Sequence, residues 1–216
     1  MNAEQFQRQT NVSRGTLEMY QTWLNLLTHW NKRINLVASS TLHDFWLRHA
    51  LDSWQVVGLL PANTKTVIDM GAGAGFPGMA MAIALKDTLD VQVTLVESNG
   101  KKCNFLSTVI RELDLPAKAV QVRVESLKLP KEQQHFDVIT ARAFAPLPKL
   151  LKYSLPFWGE RTLAILPKGE KWQSEVDVAR KRYNFDLETT PSQTSDQAKI
   201  LIIKNLRLLT KANKES

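Results

Sequence analysis

Between Thr16 and Ile34, apolar residues recur at Leu17, Tyr20, Leu24, Leu27 and Ile34, the spacing of one face of a helix. A second helical pattern runs from Leu42 through Trp46 and Ala50 to Leu60, where Pro61 stops it. After Pro61 the period changes. The runs "KTVIDM", "VQVTLVE", "AVQVRVE", "FDVITAR" and "RTLAILP" read as short buried strands. Between them lie helical stretches, among them "NGKKCNFLSTVIREL", with Cys103, Leu106, Ile110 and Leu113 on one side. Residues 170–183 give another, with the stripe Trp172, Val176, Ala179 and Tyr183. The chain closes on "YNFDLETT" and "AKILIIKNL", two strands joined by a polar loop.

Strands separated by helical crossovers are parallel, and a pair without one can be antiparallel. The pattern predicts an α/β doubly wound, mostly parallel sheet with an antiparallel last strand and an N-terminal helical cap. The expected division is a cap over 1–61, a core over 62–209 and a basic tail over 210–216. Trp23, Trp30, Trp46 and Trp54 are expected in the core.

Composition narrows the class. The chain has 216 residues, 44% hydrophobic and 23% charged, without an apolar run near the ~18 residues that span a bilayer. The polar N-terminus "MNAEQFQRQTNVSRG" does not read as a signal peptide. One cysteine, Cys103, excludes an internal disulfide and fits a reducing cytosol, so a cytoplasmic protein is expected. Histidines and the cysteine show no ligand spacing, so no metal is expected. Net charge is +7. Arg142, Lys149, Lys152, Arg161, Lys168 and Lys171 outweigh Glu160 and Glu170, and Lys199, Lys204, Arg207, Lys211 and Lys214 outweigh Glu215. Both segments suit a polyanionic partner. Nothing in the sequence asks for an obligate dimer, and a monomer is expected.

The stretch "DMGAGAGFPG" carries the candidate chemistry. Gly73, Gly75 and Gly78 match the dinucleotide pattern GxGxxG, but that register sets Asp69 near a pyrophosphate, and like charges ~4 Å apart repel by ~4 kcal/mol near a protein surface. Starting the loop at Gly71 removes the conflict. Asp69 then ends a strand beside a ligand bearing positive charge, the loop amides and following helix receive a carboxylate, and Pro77 lies in the first helical turn. S-adenosylmethionine has those features. Glu97, at the end of the next strand, is placed to accept hydrogen bonds from two ribose hydroxyls, which fits NAD and S-adenosylmethionine alike.

The blocks "HWNKRINLVASSTLHDFWLRHALDS", "VIDMGAGAGFPGMAMAIA", "LVESNGKKCNFL", "VRVES" and "FDVITARAFAPL" resemble the bacterial small-subunit (16S) ribosomal RNA guanine-N7 methyltransferases, also called glucose-inhibited division protein B. The resemblance spans roughly residues 20–205. It implies a Rossmann-like class I methyltransferase fold, S-adenosyl-L-methionine as donor, and 16S rRNA or the small subunit as partner. Carried over by position, the cofactor contacts include Gly71, Phe76, Val124, Glu125 and Arg142, beside the Asp69, Gly73, Gly75 and Glu97 read above. Two departures stand out: Ala198-Lys199 where the family has Arg-His, and Pro167 directly before Lys168-Gly169.

"FDVITARAFAPL" holds no Asn-Pro-Pro-aromatic motif for an amine acceptor. Guanine N7 needs no such group, because its lone pair is free. Arg142, at a strand's carboxyl end, is a candidate for the cofactor carboxylate or the target guanine. Lys168 is a candidate phosphate contact. His49, with Asp52 three residues on, either closes over cofactor or RNA or anchors the N-terminal helices. The alternatives are a class I methyltransferase of another RNA or a small molecule, an inactive RNA-binding relative and, least favoured, an NAD-dependent oxidoreductase.

Overall fold

A computed structural model describes residues 1–209. The basic tail 210–216, including Lys211 and Lys214, lies outside the described residues. Helix α1 (Ala3–Thr10) is closed by a capping box in which Asn2 and Gln5 exchange side-chain and backbone bonds at 2.8 and 2.9 Å. Only Phe6 of α1 is buried, against Tyr20, Trp46 and Trp54. A single apolar anchor gives no period, which is why the hydrophobic pattern begins at the next helix. Helix α2 (Arg14–Asn31) buries Tyr20, Trp23 and Leu27.

The helix expected over 42–60 is in pieces: α3 (Ser39–Leu42), a π-helical turn (Trp46–Leu51) and α4 (Asp52–Val57). Trp23 and Trp46 are buried and Trp30 and Trp54 pack against the same core, as expected.

Strands β1 (Thr66–Met70), β2 (Gln92–Glu97), β3 (Ala117–Gln121), β4 (Val138–Thr140) and β5 (Leu163–Lys168) are mutually parallel. Helices α5 (Gly78–Ala84), α6 (Gly100–Leu113), α7 (Leu147–Ser154) and α8 (Trp172–Arg180) pack around them. Strands β6 (Tyr183–Pro191) and β7 (Lys199–Leu208) complete a seven-stranded sheet in the order β3-β2-β1-β4-β5-β7-β6, with β7 antiparallel to both neighbours. The mostly parallel sheet with an antiparallel last strand is therefore present. Alternate residues divide between two apolar cores: Val67 faces the core containing α2, α5 and α6, and Ile68 the one containing α7 and α8.

Two expected strands end early. The run 119–125 stays in the sheet only to Gln121, because its partner β2 ends at Glu97, opposite Gln121. Val124 and Glu125 then form a 3₁₀ turn. The run 136–142 is a strand only over Val138–Thr140, which sends Arg142 out beyond the sheet. Both departures deliver side chains to the carboxyl edge, where open α/β sheets bind ligands at the reversal of strand order.

Candidate active site

The glycine loop begins where expected. The amides of Gly71 and Ala72 both donate to Val96 O, at 2.9 and 3.0 Å, so the chain turns off β1 at Gly71. Gly71 has φ +74°, and a Cβ there would collide with the Phe144 ring. Pro77 precedes α5 as its cap rather than lying within it.

Asp69 is wholly buried, and its Oδ2 accepts the Gly78 amide at 2.9 Å. A Cβ on Gly78 would stand 2.7 Å from both Asp69 Cβ and Oδ2, so glycine is required for α5 to seat on this carboxylate. Burial pushes the Asp69 pKa up to about 7, against the Gly78 hydrogen bond and the Arg142 charge, with the Glu97 charge adding to the rise. The expectation set Asp69 beside a ligand; its Oδ2 is taken by the first residue of α5, its Oδ1 is buried without a hydrogen-bond partner among the described residues, and it does not line the adjoining cavity.

Glu97 does reach the site. Its Oε2 accepts Gly73 N at 3.0 Å and its Oε1 accepts Asn99 N at 2.8 Å. Each oxygen keeps lone-pair capacity toward a cavity of about 410 Å³ at the carboxyl ends of β1 to β4. Gly71, Gly73, Phe76, Val124, Glu125 and Arg142 line it together with Glu97. Gly75 does not; a Cβ there would press on Met79, Leu106 and Trp23. Leu36, Val37, Lys102, Phe144, Lys149 and Tyr153 also line the cavity, and the sequence reading missed them. Leu36 and Val37 are placed by Asn31 at the end of α2, whose Oδ1 accepts both their amides at 2.9 and 3.0 Å. The volume lies within the ~300–1,000 Å³ usual for small-molecule sites. A carboxylate with lone-pair capacity beside a side-chain-free turn suits the ribose of an adenosyl ligand.

Arg142 joins the N-terminal helices to the sheet. Its guanidinium donates to Asp52 Oδ2 at 2.9 Å, to Arg48 O at 3.2 Å and to His49 Nδ1 at 3.1 Å, and lies 4.7 Å from the Phe76 ring centroid. Phe76 is also stacked on Trp23 and His49, at 4.5 and 4.7 Å. Arginine only donates, so His49 Nδ1 must carry its lone pair and Nε2–H donates to Thr41 Oγ1 at 3.0 Å. Desolvation, followed by the Arg142 charge, lowers the His49 pKa to about 4, and the nearby Asp52 charge only partly offsets them. His49 is thus buried and neutral, an anchor of the N-terminal helices rather than an exposed RNA contact.

Lys168 also differs from expectation. Its ammonium is 2.6 Å from Glu175 and donates to Ala145 O at 3.0 Å, leaving its side chain 10% exposed. Pro167 and Lys168 are still paired in register with Ile200 and Lys199 on β7, so the proline does not interrupt the strand. A second cavity, about 450 Å³, shares Arg142 and Ala143 with the first and is lined by Arg48, Asp52, Thr194 and Lys199 among others. Asp52 closes one wall, accepting from Thr194 Oγ1 at 2.7 Å and Gln55 Nε2 at 3.0 Å.

Residues 16–202 match the family model described as rRNA small subunit methyltransferase G. The chain belongs to that family. Its members named ribosomal RNA small subunit methyltransferase G include one from Parvibaculum lavamentivorans, 39% identical over 206 residues, covering 95% of this chain and 90% of the relative. Another, from Sinorhizobium fredii, is 42% identical over 98% of this chain and all of the relative. Solved structures agree on the fold. A SAM-dependent methyltransferase from Aquifex aeolicus superposes with a TM-score of 0.59 at 13% identity, over 82% of this chain and 98% of its own. SAH-bound PaMTH1 from Podospora anserina gives 0.57 at 10% identity, over 90% and 89%. The family thus has the Rossmann-like methyltransferase fold that the sequence predicts.

Proposed function

We propose that this chain methylates N7 of a guanine in small-subunit (16S) ribosomal RNA by direct in-line attack of the N7 lone pair, without a dedicated general base. As a family member it is an S-adenosylmethionine-dependent rRNA methyltransferase. The choice of guanine N7 follows the resemblance to the guanine-N7 methyltransferases, and one observation fits it: the segment leaving β4 into the cavity, Arg142-Ala143-Phe144-Ala145, carries no carboxylate, imidazole or side-chain amide. The cavity's acids, Glu97 and Glu125, follow β2 and β3, on the other side of β1. An exocyclic amine would need a proton acceptor on the β4 side, whereas N7 does not.

S-adenosylmethionine, when bound, supplies an electrophilic methyl whose C–S bond breaks as the N7–C bond forms, leaving S-adenosylhomocysteine and transferring the positive charge to the purine. The protein's part is alignment. Glu97 would hold the ribose hydroxyls, the glycine turn would let the ligand approach the backbone, and Arg142, fixed by Asp52 and His49, would orient a carboxylate or the acceptor base. Restricting two reactants to one geometry lowers a barrier by ~7–11 kcal/mol. Incubation with labelled S-adenosylmethionine and undermethylated small subunits, free rRNA or a small-molecule extract tests the reading. Label on guanine of small-subunit RNA is expected. Label on another base, or only on a small molecule, contradicts it.

A further inference from the structure

Phe144 stands at the boundary of two cavities. It lines the donor cavity with Gly71 and Glu97, and a neighbouring cavity of about 380 Å³ with Pro146, Leu150 and Pro167. Its ring lies so close to Gly71 that no other residue fits there. The preceding residue, Ala143, has φ +52°, a conformation disfavoured for alanine. That kink separates its neighbours: Arg142 turns to Asp52 and His49, and Phe144 turns to Gly71 in the wall of the donor cavity. Phe144 is only half-buried, and Tyr153 lies 6.0 Å away, tilted by 47°. The exposed Lys149 places its ammonium 5.6 Å from the Tyr153 ring and makes no ion pair among the described residues. An aromatic pair with a free cation beside it is how a protein grips an unstacked nucleotide: the rings take the base and the cation the phosphate.

We infer that Phe144, backed by Tyr153 and Lys149, is the stacking platform for the acceptor guanine. The inference rests on the guanine-N7 reading above and adds the residue that holds the base. Stacking grips the face of the purine and leaves the N7 lone pair, which lies in the ring plane, free to meet the methyl group edge-on. It also answers the charge that the reaction creates. The purine becomes cationic as N7 takes the methyl, and the π face of Phe144 attracts that charge more than the neutral ground state. A site with no general base then still has a group whose interaction grows along the reaction.

Phe144→Leu keeps apolar volume and removes the π face, whereas Phe144→Tyr keeps both and Phe144→Trp keeps the π face on a larger ring. With small-subunit RNA as substrate, the leucine variant is expected to lose on the order of 10- to 100-fold in kcat/KM, and the aromatic variants to stay within about threefold of wild type. The cofactor Kd by calorimetry, which also reports folding, is expected within about twofold for all three. A leucine variant with wild-type kcat/KM would overturn the platform. So would a cofactor Kd that weakens in step with the RNA loss, since the ring would then be a cover for the donor. Wild type assayed in parallel separates the two readings: label on no guanine removes the acceptor assignment itself, and guanine label beside an unimpaired leucine variant removes only the stacking.

Discussion

The Arg142 guanidinium and the Asp52 carboxylate meet at 2.9 Å, with both side chains about four-fifths buried. This contact ties the end of β4 to the N-terminal helices, and through Thr194 and Gln55 to the β6–β7 loop. Removing one member strands the other. Asp52→Ala is therefore expected to destabilise the fold by about 2–3 kcal/mol in urea unfolding, below the ~3–5 kcal/mol of a fully buried pair. Arg142→Met, which removes the charge but keeps the stem, is expected to destabilise less, and the double variant less than the sum of the singles. Additive losses would show the pair to be uncoupled.

His49 gives the protein an acid-sensitive joint. Its folded pKa, about 4, lies below the ordinary value near 6.5, so between these values the unfolded chain binds the extra proton. The stabilisation is full above pH ~6.5 and is lost as pH falls toward 4. His49→Gln can still accept from Arg142 and donate to Thr41 without titrating. Wild-type Tm is expected to fall relative to this variant between pH 6.5 and 4.5, and a constant difference would contradict the buried neutral imidazole.

Asp69 acts in the opposite direction. A folded pKa raised to about 7 makes its contribution full below the ordinary value near 4 and lost as pH rises through 7. Asp69→Asn retains an acceptor for the Gly78 amide and cannot ionise. The variant is expected to gain stability relative to wild type from pH 5 to pH 8, measured by thermal melts without cofactor. A constant difference over that range would show a carboxylate that is charged throughout.

Glu97 binds the loop and, on this account, the ribose. Glu97→Ala is expected to weaken S-adenosylmethionine binding by roughly 10- to 100-fold, the loss of one or two charged hydrogen bonds. Calorimetry measures it directly, and unchanged affinity would remove Glu97 from the site.

The parts of the site readable from sequence are local ones. Strand β1, the turn at Gly71 and the acidic end of β2 follow from period, glycine placement and one charge, all within a βαβ unit. The direction in which Asp69 points was not readable, because it depends on α5 seating on Gly78. For His49 the sequence leaves a choice between closing over the site and anchoring the N-terminal helices, and Lys168 reads as a phosphate contact, because their partners are distant in sequence: Arg142 for one, Ala145 and Glu175 for the other. Val124 and Glu125 read as strand by alternation, and only the length of the neighbouring strand shows that they leave the sheet. Helix α1 has one buried side chain and no period to read. The enclosing aromatics Phe144 and Tyr153 carry no short-range signal beyond the half-exposed helix face that holds Tyr153.

Methyl transfer to guanine N7 leaves a product whose own chemistry reveals it. N7-methylguanosine carries a positive charge that makes its imidazole ring reducible, after which aniline cleaves the RNA chain at that nucleotide. Undermethylated small-subunit RNA incubated with the protein and S-adenosylmethionine, then reduced, cleaved and mapped by primer extension, is expected to show one new break at a guanine, absent without donor. Methyl incorporation with no such break, or breaks spread over many guanines, would contradict it.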